Sequence, residues 1–209
     1  MTLLPIAALP RKRLTLIEFL DDYPQEGGRF ELRDGFIFTM QPTGTHEQVA
    51  GFLALELGIE IKRRQLPFFI PRQGMVKALD SDRSGFIPDV MVLDANLILD
   101  EPLWKPRSLI TQGKSIPLAI EVVSTNWQDD YLMKLGEYEK LGIGEYWIVD
   151  YLGIGGRRYI GSPKQPALSI YTLTQGEYNW QLFVGAERVQ SVTFPELDLT
   201  AEEIFAQGQ

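Results

Sequence analysis

Along this chain the spacing of apolar residues changes period several times, and each change marks an element. Thr15 with Glu18 three residues on forms a capping box, so a first helix starts there and stops before Pro24. The run RFELRDGFIFTM reads as a hairpin, with Asp34-Gly35 as the two-residue turn between apolar runs. Thr45, with Gln48 in the box position, opens a long helix on which His46, Ala50, Leu53, Leu57 and Ile61 share a face, ending near Gln65-Leu66-Pro67. Four extended runs follow: Phe68 to Ile70, Met75 to Leu79, Phe86 to Leu93, and Leu118 to Ser124. The last is almost wholly apolar, as expected of a strand covered on both faces. A helix from about Asp129 to Leu141 comes next, with Gly142 as its C′ residue, and then a buried strand from Glu145 to Asp150. From Gly155 to Leu199 the pattern is β-rich, with turn signals at Gly161-Ser162-Pro163, Gln175-Gly176 and Gly185; Thr200 with Glu203 caps a closing helix. There is no internal repeat and no low-complexity linker. The expectation is one α/β (α+β) domain over residues 1–209, with a mixed central β-sheet flanked by helices and β-hairpins appended.

Composition narrows the chemistry. Among 209 residues there are 20 Lys plus Arg, 28 Asp plus Glu, one His and no Cys. Disulfides, thiolate zinc sites and a Cys nucleophile are excluded, and a multi-histidine metal cage is impossible. A divalent metal would sit mainly on carboxylate oxygens, which favours Mg²⁺, Mn²⁺ or Ca²⁺. The net charge of −8 argues against a generic nucleic-acid coat protein, whose affinity comes from neutralising phosphates. No segment approaches the roughly 18 uninterrupted apolar residues of a membrane span, so no membrane partner is expected. The start, MTLLPIAALPRKR, places its apolar run before its charges, the reverse of a secretory signal, and reads as a disordered or strand-like arm. With cysteine also absent, a cytoplasmic location is expected.

Acidic residues stand where apolar ones belong. In PLAIEVVS, Glu121 interrupts an apolar strand and by alternation shares a face with Ala119 and Val123. Asp89 does the same in FIPDVMVL, just after Pro88. Two carboxylates on neighbouring strands make a hard-oxygen site suited to Mg²⁺, and strand-end ion pairs with Lys or Arg explain each residue equally well. Asp130, Lys134 and Tyr138 lie four residues apart along one side of their helix, beside its inward stripe. Spacing alone favours an exposed Asp130–Lys134 ion pair of small energetic value.

Taken in order, Pro88-Asp89, Ile120-Glu121-Val122-Val123-Ser124, Asp130-x-x-x-Lys134-x-x-x-Tyr138 and Gly142-Ile143-Gly144-Glu145-Tyr146-Trp147-Ile148-Val149-Asp150 resemble the PD-(D/E)XK nuclease superfamily. More closely, the string is similar to the Uma-type restriction-endonuclease family, whose pattern Phe30-Glu31-Leu32-Arg33-Asp34-Gly35 and His46 also match. The resemblance runs from about Leu14 to Asp150, implying a restriction-endonuclease-like core (about 14–150) and a β-rich extension (about 151–209). It implies Asp89 and Glu121 as catalytic metal ligands, joined by the main-chain carbonyl of Val122. The superfamily's usual lysine two residues after the glutamate is absent, since Val123 stands there. Lys134 on the next helix is the matching position, and a long Lys stem can reach the same point. The implied activity is Mg²⁺-dependent (or Mn²⁺-dependent) DNA endonuclease chemistry, with a homodimer pairing two sites on the two strands.

Other residues carry two readings. Glu31 either completes the metal site or fixes the turn at Asp34-Gly35. His46 either packs in its helix's first turn beside Ala50 or lines the site, as do Asp130 and Tyr138. Ser124 caps the exit from its strand and lacks a base as a nucleophile. Gly153-Ile154-Gly155-Gly156 lacks phosphate-loop spacing and reads as a turn. Tyr171, Tyr178 and Trp180 either stack bases or serve sheet packing or a dimer surface. Basic groups at Arg11-Lys12-Arg13, Lys62-Arg63-Arg64, Arg72 with Lys77, and Arg157-Arg158 are candidates for phosphate contact, each equally a solvated group. Two further functions compete: an inactive nuclease-like fold that binds DNA or a protein, and a phosphoesterase acting on RNA or a small nucleotide.

Overall fold

The computed structural model describes residues 12–24 and 28–209; the N-terminal arm, residues 1–11, lies outside the described residues. Helix α1 (Leu16–Asp21) carries the capping box of Thr15 and Glu18. Strands β1 (Arg29–Arg33) and β2 (Phe36–Met40) form the hairpin, and Asp34 (φ 50°) and Gly35 (φ 81°) supply the left-handed turn that such a two-residue connection needs. Helix α2 (Gly44–Arg64) begins two residues earlier than the spacing suggests. Thr43, not Thr45, is its cap, its hydroxyl accepting from the His46 N–H at 3.3 Å. Thr45 instead pairs with the Tyr151 hydroxyl at 3.1 Å. Gln65 closes the helix in the left-handed conformation.

The remaining strands are β3 (Phe68–Phe69), β4 (Met75–Lys77), β5 (Gly85–Phe86), β6 (Val90–Asp94), β7 (Leu109–Ile110), β8 (Leu118–Val122), β9 (Glu145–Asp150), β10 (Ala167–Thr174) and β11 (Glu177–Phe183). They make two mixed sheets where the sequence suggests one: β2-β1-β5-β4-β7 and β11-β10-β9-β8-β6-β3. Phe86 to Leu93, expected as one strand, is divided between them. Pro88 has no N–H to give to a ladder, and the Ile87 N–H is taken by the Glu31 carboxylate at 2.9 Å. The chain therefore leaves one sheet after Phe86 and joins the other at Val90, with Asp89 at the crossing.

The centre of the six-stranded sheet, strands β8 and β9, is buried on both faces. Leu118, Ile120, Val122, Trp147 and Val149 pack beneath Val49, Leu53 and Leu57 of α2. Ala119, Val123, Tyr146 and Ile148 pack on the opposite face with Tyr131 and Tyr138. That second layer is a helix whose first part, Asp129–Lys134, is π-helical and whose second part, α-helical Leu135–Leu141, ends at Gly142 (φ 86°). Single π-turns within helices recur at functional sites. The β-rich extension is fastened to this core by Glu145, which accepts from Trp147 Nε1, Ser191 Oγ and the Thr193 N–H within 2.9 Å. Tyr171 is buried in sheet packing and stacks at 6.1 Å on Trp180, whose own ring is 48% exposed. The glycine run at 153–156 is a turn held by Asp150, which accepts from the Ile154 and Gly155 N–H groups.

Candidate active site

Asp89, at the crossing between the sheets, is surrounded by donors. The Val122 N–H reaches its Oδ2 at 2.9 Å and His46 Nε2 approaches the same oxygen at 3.1 Å. The Arg29 guanidinium lies 3.3 Å from Oδ1 and also donates to the carbonyls of Ile87 and Pro88. Burial raises the Asp89 pKa, but the hydrogen bond and charge of His46, aided by Lys134 and Arg29, outweigh it and hold the group ionised. His46 is reciprocally raised: burial opposes its charge, and Asp89, with a hydrogen bond to the Val122 carbonyl, more than compensates. Its Nδ1 has no hydrogen-bond partner, the nearest carboxylate being Glu47 at 3.8 Å.

One strand over, Glu121 and Lys134 are buried side by side, 1% and 2% exposed. The exposed ion pair favoured by spacing is therefore not what forms: the π-turn carries Lys134 inward. Its Nζ lies 2.9 Å from Glu121 Oε1, 3.4 Å from Glu31 Oε1 and 3.8 Å from Asp130 Oδ1. The Tyr138 hydroxyl donates to the same Glu121 oxygen at 2.8 Å. Burial works against the ammonium, yet Glu121, Glu31, Asp130 and Asp89 together raise its pKa, so it stays charged. Burial pushes Glu121 well above the ordinary carboxylate range, and Lys134 offsets this only in part.

Burial likewise pushes Asp130 up to about 7, against the pull of Lys134 and with Asp89, Asp129 and Glu31 adding to it. A carboxyl raised in the folded state binds protons that the unfolded chain releases, so its contribution to stability declines as pH rises from about 4 to about 7. Asp130→Asn is expected to remove up to about 4 kcal/mol of that decline; urea midpoints of both proteins across this window measure it.

The structure thus brings Asp89, Glu121, Lys134, Glu31, His46, Asp130 and Tyr138 into one neighbourhood. Glu31 does more than serve its hairpin, since it joins Ile87, Lys134 and Arg33. Sequence reasoning missed Arg29 and Arg33. Arg33 bridges Glu31 at 2.8 Å and Asp129 at 2.6 Å, tying the hairpin to the π-turn. Their signal was the alternation Arg29, Glu31, Arg33, which puts three charges on one face of β1. Beside the cluster opens a cleft of about 320 Å³, lined by Arg29, Met40, Thr43, His46, Asp89 and Asn126 among others. Of the basic groups, Arg63 pairs with Glu60 and Glu196, Arg64 with Glu196, and Lys12 with Glu18, while Arg158 lies over Tyr159. Arg11 lies outside the described residues.

The donor set can be tested against a divalent cation. No three acidic or histidine side chains among the described residues are arranged to hold an ion. The set on offer is two carboxylates and one carbonyl, which suits Mg²⁺: that ion uses one or two carboxylates and keeps waters or substrate oxygens for its other positions. His46 Nε2 already touches both Asp89 and the Val122 carbonyl, and Lys134 touches Glu121, so two protein cations stand among these oxygens. These oxygens already draw positive charge to themselves, the property that a divalent ion would use.

The sequence matches the Uma2 family, described as "Putative restriction endonuclease", over residues 17–202. The chain belongs to the Uma2 family. A solved structure similar to it, the "putative nuclease belonging to DUF820 from Anabaena variabilis ATCC 29413", aligns with a TM-score of 0.68 at 18% identity. The alignment covers 94% of this chain and 99% of that one, which establishes the shared fold. No curated protein matches the sequence. No helix among the described residues of this Uma2 protein is long and apolar enough to cross a membrane.

Proposed function

We propose that this Uma2 protein is a metal-dependent DNA endonuclease acting as one domain, with Asp89, Glu121 and Lys134 as its catalytic residues. The observation that carries the reading is the buried Lys134–Glu121 contact of 2.9 Å beside an Asp89 that is held ionised at the edge of a cleft. Asp89, Glu121 and the Val122 carbonyl would hold Mg²⁺ or Mn²⁺, which when bound polarises the phosphodiester and lowers the pKa of an attacking water. Lys134, kept charged by its carboxylate neighbours, stabilises the negative charge that grows on the phosphoryl oxygens. Tyr138 and Glu31 fix the position of Glu121 and Lys134, and Arg33 braces the π-turn that carries the lysine. His46 holds Asp89 through its Nε2, 3.1 Å from Oδ2. A homodimer pairs two such centres under twofold symmetry, matching the two strands of a duplex.

The test is nicking or linearisation of supercoiled plasmid in Mg²⁺ or Mn²⁺, with EDTA as control. Cleavage that disappears in EDTA and in Glu121→Gln supports the reading; equal trace cleavage by wild type and variant refutes the assignment. A second expectation concerns protons. Glu121 and Asp130 are raised by burial, so ion binding should expel protons from the cluster. Calorimetric Mn²⁺ titrations at pH 6.5 in buffers of different ionisation enthalpy should show net proton release, reduced in Asp130→Asn.

A further inference from the structure

Strand β2 is an edge strand, hydrogen-bonded only to β1, and it leaves its apolar side chains open: Phe36, Ile37 and Phe38 are 39%, 44% and 44% exposed. Such an edge normally invites aggregation, and natural proteins blunt it with charge. Here the charge is placed on the rings. Arg13 lies over Phe36 with its guanidinium carbon 5.2 Å from the centroid, and Arg33 lies over Phe38 at 5.0 Å. The register sets Met40 opposite Arg29, Phe38 opposite Glu31 and Phe36 opposite Arg33. Directly opposed residues share a face, so the aromatic row is on the same side as the charges that hold Asp89 and Lys134. At its far end Thr39 and Met40 line the cleft beside Asp89 and His46.

We infer that this row, Phe36 and Phe38 with Arg13 and Arg33, is a stacking track that seats unpaired nucleotides and leads the strand into the cleft. It deepens the nuclease reading, on which it rests, by naming the substrate class: single-stranded or locally unwound nucleic acid. Aromatic rings interleaved with cations are what such a ligand needs, since every base has a π face and every linkage a negative charge. The alternation also explains how an acidic protein can engage a polyanion, because much of the affinity comes from stacking rather than from phosphate neutralisation. The competing occupant is a second copy paired edge to edge. That arrangement would set ring against ring and would leave unused the guanidinium groups that lie over Phe36 and Phe38.

The probe is a fluorescent 20-nucleotide oligothymidylate carrying 5-iodouracil, in EDTA, so that binding is read without cleavage. Wild type should bind it more tightly than a duplex of the same length, and photocrosslinks should map to residues 29–40. Phe38→Ala should weaken single-strand binding about tenfold, in keeping with the loss of one base–aromatic stack, and Phe38→Trp should restore it. Both rings are exposed, so these variants keep the fold. Crosslinks elsewhere, or equal affinity of wild type and Phe38→Ala, would overturn the inference. So would a wild-type dimer in sedimentation that Phe38→Ala dissolves, which would make the edge a self-interface. A protein that never cleaves yet shows this binding pattern would sink the nuclease reading alone. Asp89-dependent cleavage indifferent to Phe38 would sink the track alone.

Discussion

Replacing Lys134 by methionine is expected to cost about 3–5 kcal/mol of folding stability at pH 8 and distinctly less at pH 5. The reason is the company the lysine keeps. Its ammonium is 2% exposed and is the shared counter-charge of Glu121, Glu31 and Asp130. Methionine fills similar space and leaves those acids buried with Arg33, which touches Glu31, as the nearest remaining cation. Glu121 and Asp130 then fold only by taking up protons, so their folded pKa values rise further above the unfolded ones. A raised carboxyl loses stability as pH increases, and the gap between variant and wild type must therefore widen from pH 5 to pH 8. Urea denaturation at both pH values measures it. Adding Glu121→Leu should recover part of the loss, because an apolar pair replaces an unmatched charge. A gap that stays constant with pH would show that lost packing, not stranded charge, is responsible.

Asp89→Asn is expected to lower DNA cleavage by at least about hundredfold while costing only about 1–3 kcal/mol of stability, the worth of hydrogen bonds to a charged group. Asparagine keeps an oxygen for the Val122 N–H but loses the charge that holds His46 and Arg29 and that would bind the cation. Initial cleavage rates, measured on protein whose circular dichroism and melting curve show it folded, separate the two effects. Activity within a few-fold of wild type would remove Asp89 from the catalytic set.

Much of this molecule is legible from its residues, for physical reasons that differ by element. The capping boxes at Thr15 and Thr200, the Asp34-Gly35 turn and the Gly142 stop are local, and local chemistry decides them. The buried strands Leu118–Val122 and Glu145–Asp150 are plain because no face of either meets water. The break within Phe86 to Leu93 was not legible, since it depends on a distant acceptor, Glu31, taking the Ile87 N–H. The inward turn of Lys134 was hidden for a similar reason. Helical spacing assumes 3.6 residues per turn, and the π-segment at Asp129–Lys134 breaks that assumption at the residue that matters. Asp89 and Glu121 stand out as acids in apolar strands, whereas the roles of Arg29 and Arg33 depend on partners that other elements supply.

Asp89, Glu121 and the Val122 carbonyl are proposed to form one cation site, with Lys134 beside it. The measurement that tests it most directly is anomalous diffraction from crystals of the protein soaked in Mn²⁺. A manganese peak is expected within coordination distance of both carboxylates and the Val122 carbonyl, and absent from Asp89→Asn crystals. A manganese peak elsewhere, in a protein that cleaves DNA only with the metal, would contradict it.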